Sequence, residues 1–226
     1  MSKLEELKTK LEAIPDKQRR KDLVGKLEQY GTLAALASDT LAKCRDEQRY
    51  ARQVFADGDF QKTADQIRRA IGYATRLRVK LTDKIEAVER SDDQFSSLSE
   101  AAKLANTALK ARWSELLNRK IEEFESVVRA AKDANLKGSS PLEQTIIRLH
   151  TQTSILPQSS DAAQRIEKDL KSLVTAVQTL GLEGAGGRFL VDAAAKKGKA
   201  KDLTDPEIIK FIERYNLWNF LTVRLG

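Results

Sequence analysis

Leu27, Tyr30, Ala34, Ala37, Leu41, Cys44, Gln48, Ala51 and Phe55 follow one another at alternating spacings of three and four residues, without a break, over four heptads. An α-helix brings such positions onto one narrow stripe, and a stripe sustained this long is the seam of a coiled coil. The spacing therefore predicts a single helix from near Lys17 to Asp57-Gly58, where glycine supplies a left-handed stop. About 40 residues at a rise of 1.5 Å make a rod of about 60 Å. Upstream, Leu4, Leu7, Leu11 and Ile14 form the apolar face of a short helix that Pro15 ends, and Asp16 is placed to cap the next one.

The same rhythm returns after a short link, at Phe60, Ala64, Ile67, Ile71, Ala74, Arg78, Leu81, Ile85 and Val88. So short a connection forces the two helices antiparallel. Alanine at many seam positions permits a close approach of their axes. Ser91 to Gln94 reads as a capping box, followed by Phe95, Leu98, Ala102, Ala105 and Leu109. Trp113, Leu117 and Ile121 then step by fours before Phe124, Val128 and Ala131 resume the alternation, a stutter that locally unwinds a supercoil. This third helix is expected to reach Leu136 and to close at Lys137-Gly138.

Ser140-Pro141-Leu142-Glu143 reads as a second capping box with proline at the first helical position. The short helix behind it carries Leu142, Ile146 and Leu149 and ends before Pro157. Ser160 or Asp161 caps a further helix whose apolar row is Ala163, Ile166, Leu170, Leu173, Val177 and Leu180. At Gly181 the character changes: residues 181–187 hold four of the eleven glycines, read as a terminator and flexible hinge. A brief helix from Arg188 to about Ala195 leads into the basic run Lys196 to Lys201, and Thr204 to Glu207 is a third capping box. The expectation is an all-α chain: residues 1–180 as an elongated antiparallel coiled-coil bundle, and 181–226 as a small, mostly helical, glycine-hinged module.

Composition agrees with long thin helices. Hydrophobic residues are 41% and charged residues 32%, against globular norms of about 45–50% and 25%. The net charge is +7 and the pI about 9.4, with the excess spread along the chain, which permits acidic partners without diagnosing one. The lone Cys44 fits a reducing compartment, and the charged N-terminus has no apolar signal core. A cytoplasmic protein with no membrane span is expected.

Chemistry is scarce. No phosphate-binding G-x-x-x-x-G-K-[ST] run occurs. One histidine, His150, and one cysteine exclude a zinc site built from those ligands within a single chain. Cys44 falls on a seam, where a thiol is inert. Glu122, Glu123 and Glu125 read as a solvated helix side. No catalytic residue, metal ligand or cofactor site is assigned, and the chain is expected not to be an enzyme.

Two functional readings remain. In the first, the chain is an interaction or scaffold subunit of a multiprotein assembly, with the coiled-coil body as spacer. Its apolar C-terminal tail (Phe211, Tyr215, Leu217, Trp218, Phe220 and Leu221) then docks another protein subunit. The same aromatics would equally serve to cap the end of the bundle. In the second reading the chain binds DNA or RNA through a basic helical face, Arg68, Arg69, Tyr73, Arg76, Lys80 and Lys84, aided by Lys196, Lys197, Lys199 and Lys201. A solvated coiled-coil flank explains the same charges. The seam closes within one chain or, alternatively, by homodimerisation.

Overall fold

A computed structural model describes residues 9–56, 58, 60–83, 92–195 and 203–225, and the chain is all-α: among these residues no strand occurs. Residues 9–12 are helical and are followed by α1 (Lys17–Val54), α2 (Gln61–Asp83), α3 (Asp92–Asp133) and α4 (Ser139–Gln152). Then come α5 (Ser160–Thr179), α6 (Ala185–Ala194), α7 (Pro206–Tyr215) and α8 (Trp218–Leu225). None of the described helices is long and apolar enough to cross a membrane. Contacts divide the chain into two compact units, Met1–Arg52 with Ala56–Arg112, and Gln53–Phe55 with Trp113–Gly226. Composition places a division at Gly181, whereas the contacts place it at Trp113, inside α3 and on the stutter.

In unit 1, Asp16 starts α1 as its sequence anticipates, accepting from the backbone N–H of Gln18 at 2.9 Å and of Arg19 at 3.1 Å. The seam of α1 is its buried face: Tyr30, Ala37, Leu41, Cys44, Gln48 and Ala51 are all inside. The α1–α2 connection is tied by Gln48 Nε2 and Thr63 Oγ1, each donating to the Phe60 carbonyl at 3.1 Å. At the start of α2 and along it the buried row is Phe60, Thr63, Ile67, Ala70 and Leu77. Of the expected row, Phe60 and Ile67 are inside, while Ala64 and Ile71 give way to Thr63 and Ala70. The side chains of Arg78, Leu81, Ile85 and Val88 lie outside the described residues. Both rows satisfy a three–four alternation. The observed one continues to Leu77, which is buried. From α3 come Phe95, Leu98, Ala102, Ala105 and Leu109.

Tyr30 links the start of α3 to α1. Its ring stacks on Phe95 with centroids 4.2 Å apart, and its hydroxyl donates to the Asp92 carboxylate. That carboxylate also accepts from Lys26 Nζ at 2.8 Å. Hydrogen bonds from Lys26 and then Tyr30 hold the Asp92 carboxyl below the usual range. A carboxyl depressed in the folded state contributes stability above its unfolded value of about 3.9 and loses it as pH falls through the folded value. Asp92→Asn is therefore expected to lower the melting temperature at pH 7 and to flatten its decline on the acid side of pH 4. Thermal melts from pH 2 to 7 measure this, and a variant profile parallel to wild type would rule it out.

In unit 2 the buried stripe of α3 widens. Trp113, Leu117 and Ile121 are joined inside by Leu116 and then by the adjacent pairs Val127–Val128 and Ala130–Ala131. Steps of four drift the apolar row around the helix, so two neighbouring rows find cover. Three of the described helices end alike. Asn135, Gly181 and Asn216 take left-handed φ values of 57°, 65° and 52°. The next N–H bonds back across the last turn: Leu136 to Ala131, Leu182 to Val177 and Leu217 to Ile212. This is the Schellman arrangement, and in each case the leucine is buried.

These ends and starts correct several expectations. Asn135, not Lys137-Gly138, closes α3. Gly138, with φ 97° and no side-chain cap, precedes α4, so Ser140 is inside the helix rather than its cap. Ser159, not Ser160 or Asp161, caps α5 by accepting from Ala162 N–H at 3.1 Å. Asp205, not Thr204, caps α7, with Pro206 at the first helical position. Ser91, expected to start α3, lies outside the described residues.

Candidate interaction surfaces

An apolar groove of about 590 Å³ lies in unit 1 among α1, α2 and α3. Its lining combines the buried Tyr30, Leu41, Leu77, Phe95 and Leu98 with small residues that leave space, Gly31, Ala34, Ser38 and Ala42 from α1 and Ala74 and Thr75 from α2. A Cβ added at Gly31 would meet nothing within 4 Å. The groove runs along α1 from Leu27 to Arg45, a span of about 27 Å at the helical rise. Alanine in the seam was expected to draw the helices together. Along this stretch the space stays open, and Ile71, expected on the seam, stands 42% exposed at the groove's side.

Arg45 and Tyr30 are the ionisable side chains lining the groove. Burial, and then the bond to Asp92, push the Tyr30 hydroxyl far above its ordinary range, so it is a fixed donor. No pair of titrating groups faces a common point there. The arrangement is suited to taking up apolar side chains, with one cation at an end.

The basic face is partly assembled. Arg68, Arg69 and Arg76 on α2 are exposed and Tyr73 is half-buried. Arg68 Nη1 is engaged by Asp65 at 2.6 Å, which reduces the charge the face presents. The Lys80 side chain lies outside the described residues, as do Lys84, Lys196, Lys197, Lys199 and Lys201.

The tail folds onto unit 2. Phe211, Leu217 and Leu221 are buried, together with Ile208 and Ile212. Tyr215 is half-buried and donates from its hydroxyl to the Leu180 carbonyl at 2.9 Å. Arg214 Nη2 donates to the Thr179 carbonyl at 3.2 Å, so the tail satisfies carbonyls left open at the end of α5. Trp218 stays 46% exposed and Phe220 is half-buried.

The expected glycine hinge is corrected. Gly186 and Gly187 lie buried in the first turn of α6, which begins at Ala185 rather than Arg188. A Cβ on Gly186 would sit 2.3 Å from Phe211 Cγ, and one on Gly187 would sit 1.9 Å from the Leu182 carbonyl oxygen. These glycines are there for close packing of α6 against the tail and against the preceding turn.

The remaining chemical candidates are dispersed. Cys44 is buried, and burial, then the Glu47 charge, pushes its thiol up. His150 is exposed, its Nε2 3.9 Å from Glu125, a carboxylate that also pairs with Arg129 at 2.9 Å. The groove itself was missed in the sequence. Its only trace there is the run of small residues, which equally describes tightly packed helices. No known family model, curated protein or solved structure matches this chain.

Proposed function

We propose that the chain is a non-enzymatic interaction subunit whose unit 1 docks an amphipathic helix of another protein subunit. The observation that carries this reading is the open apolar groove, lined in part by small residues, with the exposed Ile71 beside it. A helix that inserts apolar side chains at every third and fourth position fits a groove of this kind. Pairing of α1, α2 and the first part of α3 as an antiparallel coiled coil supplies a rigid frame for it. The tail, most of whose aromatic and aliphatic side chains pack within unit 2, is assigned to stability rather than to docking.

The test places a photo-crosslinking residue at Ile71, in the full chain expressed in its native cells. A single protein adduct whose crosslinked peptide is helical and apolar on one face is the expected product. Ala34→Glu puts a charge on the groove lining and is expected to reduce that adduct by about tenfold or more, as an unpaired charge under an apolar contact does. Adducts spread over many proteins, or one indifferent to Ala34→Glu, would remove the groove from the account. Recovery of nucleic acid that falls steeply with salt and is lost on reversing Arg69 and Arg76 would favour the basic face instead.

A further inference from the structure

Glu47 lies beside the α1 seam, and its side chain is only 5% exposed. Its Oε2 is buried with no hydrogen-bond partner. Its Oε1 has Lys43 Nζ at 3.7 Å, long for a hydrogen bond, from a lysine whose side chain is 63% exposed. A buried carboxylate with one oxygen orphaned and the other loosely paired is costly as an anion and tolerable as a neutral acid.

The surroundings oppose one another. Lys43 on the same helix and Lys110 on α3 attract the ionised form, and the buried Cys44 thiol is one turn away. The buried residues at the start of α2 and along it, Phe60, Thr63, Ile67 and Ala70, carry no charge. Burial outweighs the two cations, and the Glu47 carboxyl is held above its ordinary range.

We infer that Glu47 is a pH-sensitive catch in unit 1: as the neutral acid it lets α1, α2 and α3 close around it, and on losing its proton it loosens them. The unfolded chain releases this proton near pH 4.3, about the ordinary glutamate value. The folded chain releases it only at higher pH. Between the two values the unfolded state holds fewer protons, so stability falls as pH rises through that window and levels off above the folded value. Below the unfolded value the contribution is fully present.

Glu47→Gln keeps the shape and stays neutral at every pH. Urea titrations of the full chain and of this variant, in steps from pH 4.5 to 8.5, measure the catch. The ratio of the variant's folding constant to that of wild type is expected to grow by about tenfold for each pH unit within the window. Amide-exchange protection over residues 44–51 is expected to decline in wild type relative to the variant across the same range. Lys43→Gln, an exposed change that removes an attracting cation, is expected to extend the widening to higher pH. A ratio that falls as pH rises overturns the inference, because Lys43 and Lys110 then satisfy the anion. A gap that does not change with pH also overturns it, because Glu47 then acts through packing alone.

Discussion

Trp113→Ala is expected to lower the stability of unit 2 by about 3–5 kcal/mol, the range for removing a large buried aromatic. Trp113 is fully buried, and its ring lies tilted against Phe55 with centroids 5.5 Å apart. Its indole N–H donates to the Gln152 carbonyl at 2.9 Å, fastening the last turn of α4 to α3. Alanine would leave a cavity and remove this hydrogen bond, while the Gln152 carbonyl keeps the Ile155 N–H at 3.2 Å. Trp113→Phe separates these effects: it keeps most of the volume and is expected to cost about 0.5–1.5 kcal/mol, the net value of the one hydrogen bond lost. Chemical denaturation gives the numbers, and fluorescence gives an independent check. The chain has two tryptophans, and the other, Trp218, is half in solvent. Emission from the alanine variant should therefore shift to the red of wild type. A loss under about 1 kcal/mol with unshifted emission would show that Trp113 is not in the core.

The second large effect is a reversal of sign. Helix propensity favours alanine over glycine by about 1 kcal/mol inside a helix, and Gly187 is in α6. Packing says the opposite, because the added methyl would lie 1.9 Å from the Leu182 carbonyl oxygen, a backbone atom in the turn just before α6. Gly187→Ala is therefore expected to destabilise unit 2 by about 3 kcal/mol or more, at the upper end of overpacking costs. Gly31→Ala in α1 is the control. Nothing lies within 4 Å of its new methyl, so propensity alone acts and stability should rise by up to about 1 kcal/mol. Thermal melts of the two variants decide it. If both rise together, the close approach at α6 is not present in solution.

These expectations separate what was legible along the chain from what was not. Periodicity is a local property of a helix, so the seam of α1 and the existence of α2, α3 and α5 could be read directly. Asp16 likewise announces its helix, because capping involves only the next three residues. Periodicity does not say which of two neighbouring rows will find a partner. Ala64–Ile71 and Thr63–Ala70 are equally regular on α2, and α1 and α3 together decide that the second row is buried. Asparagine at Asn135 and Asn216 was overlooked as a helix stop because it is common in many settings. The buried leucine that follows each one is the confirming part, and burial is known only from the fold.

By itself, then, the sequence determined an all-α chain, most of its helices and the buried face of the first long one, because these follow from residue spacing and backbone preference over a few turns. The tertiary structure alone decided three things. Four small residues on α1 border an open groove rather than a tight seam. The glycines near 187 are points of contact rather than a hinge. Glu47, which reads as one more charge on a helix surface, is enclosed. Each depends on what lies across from a residue, at a distance in sequence that no local pattern records.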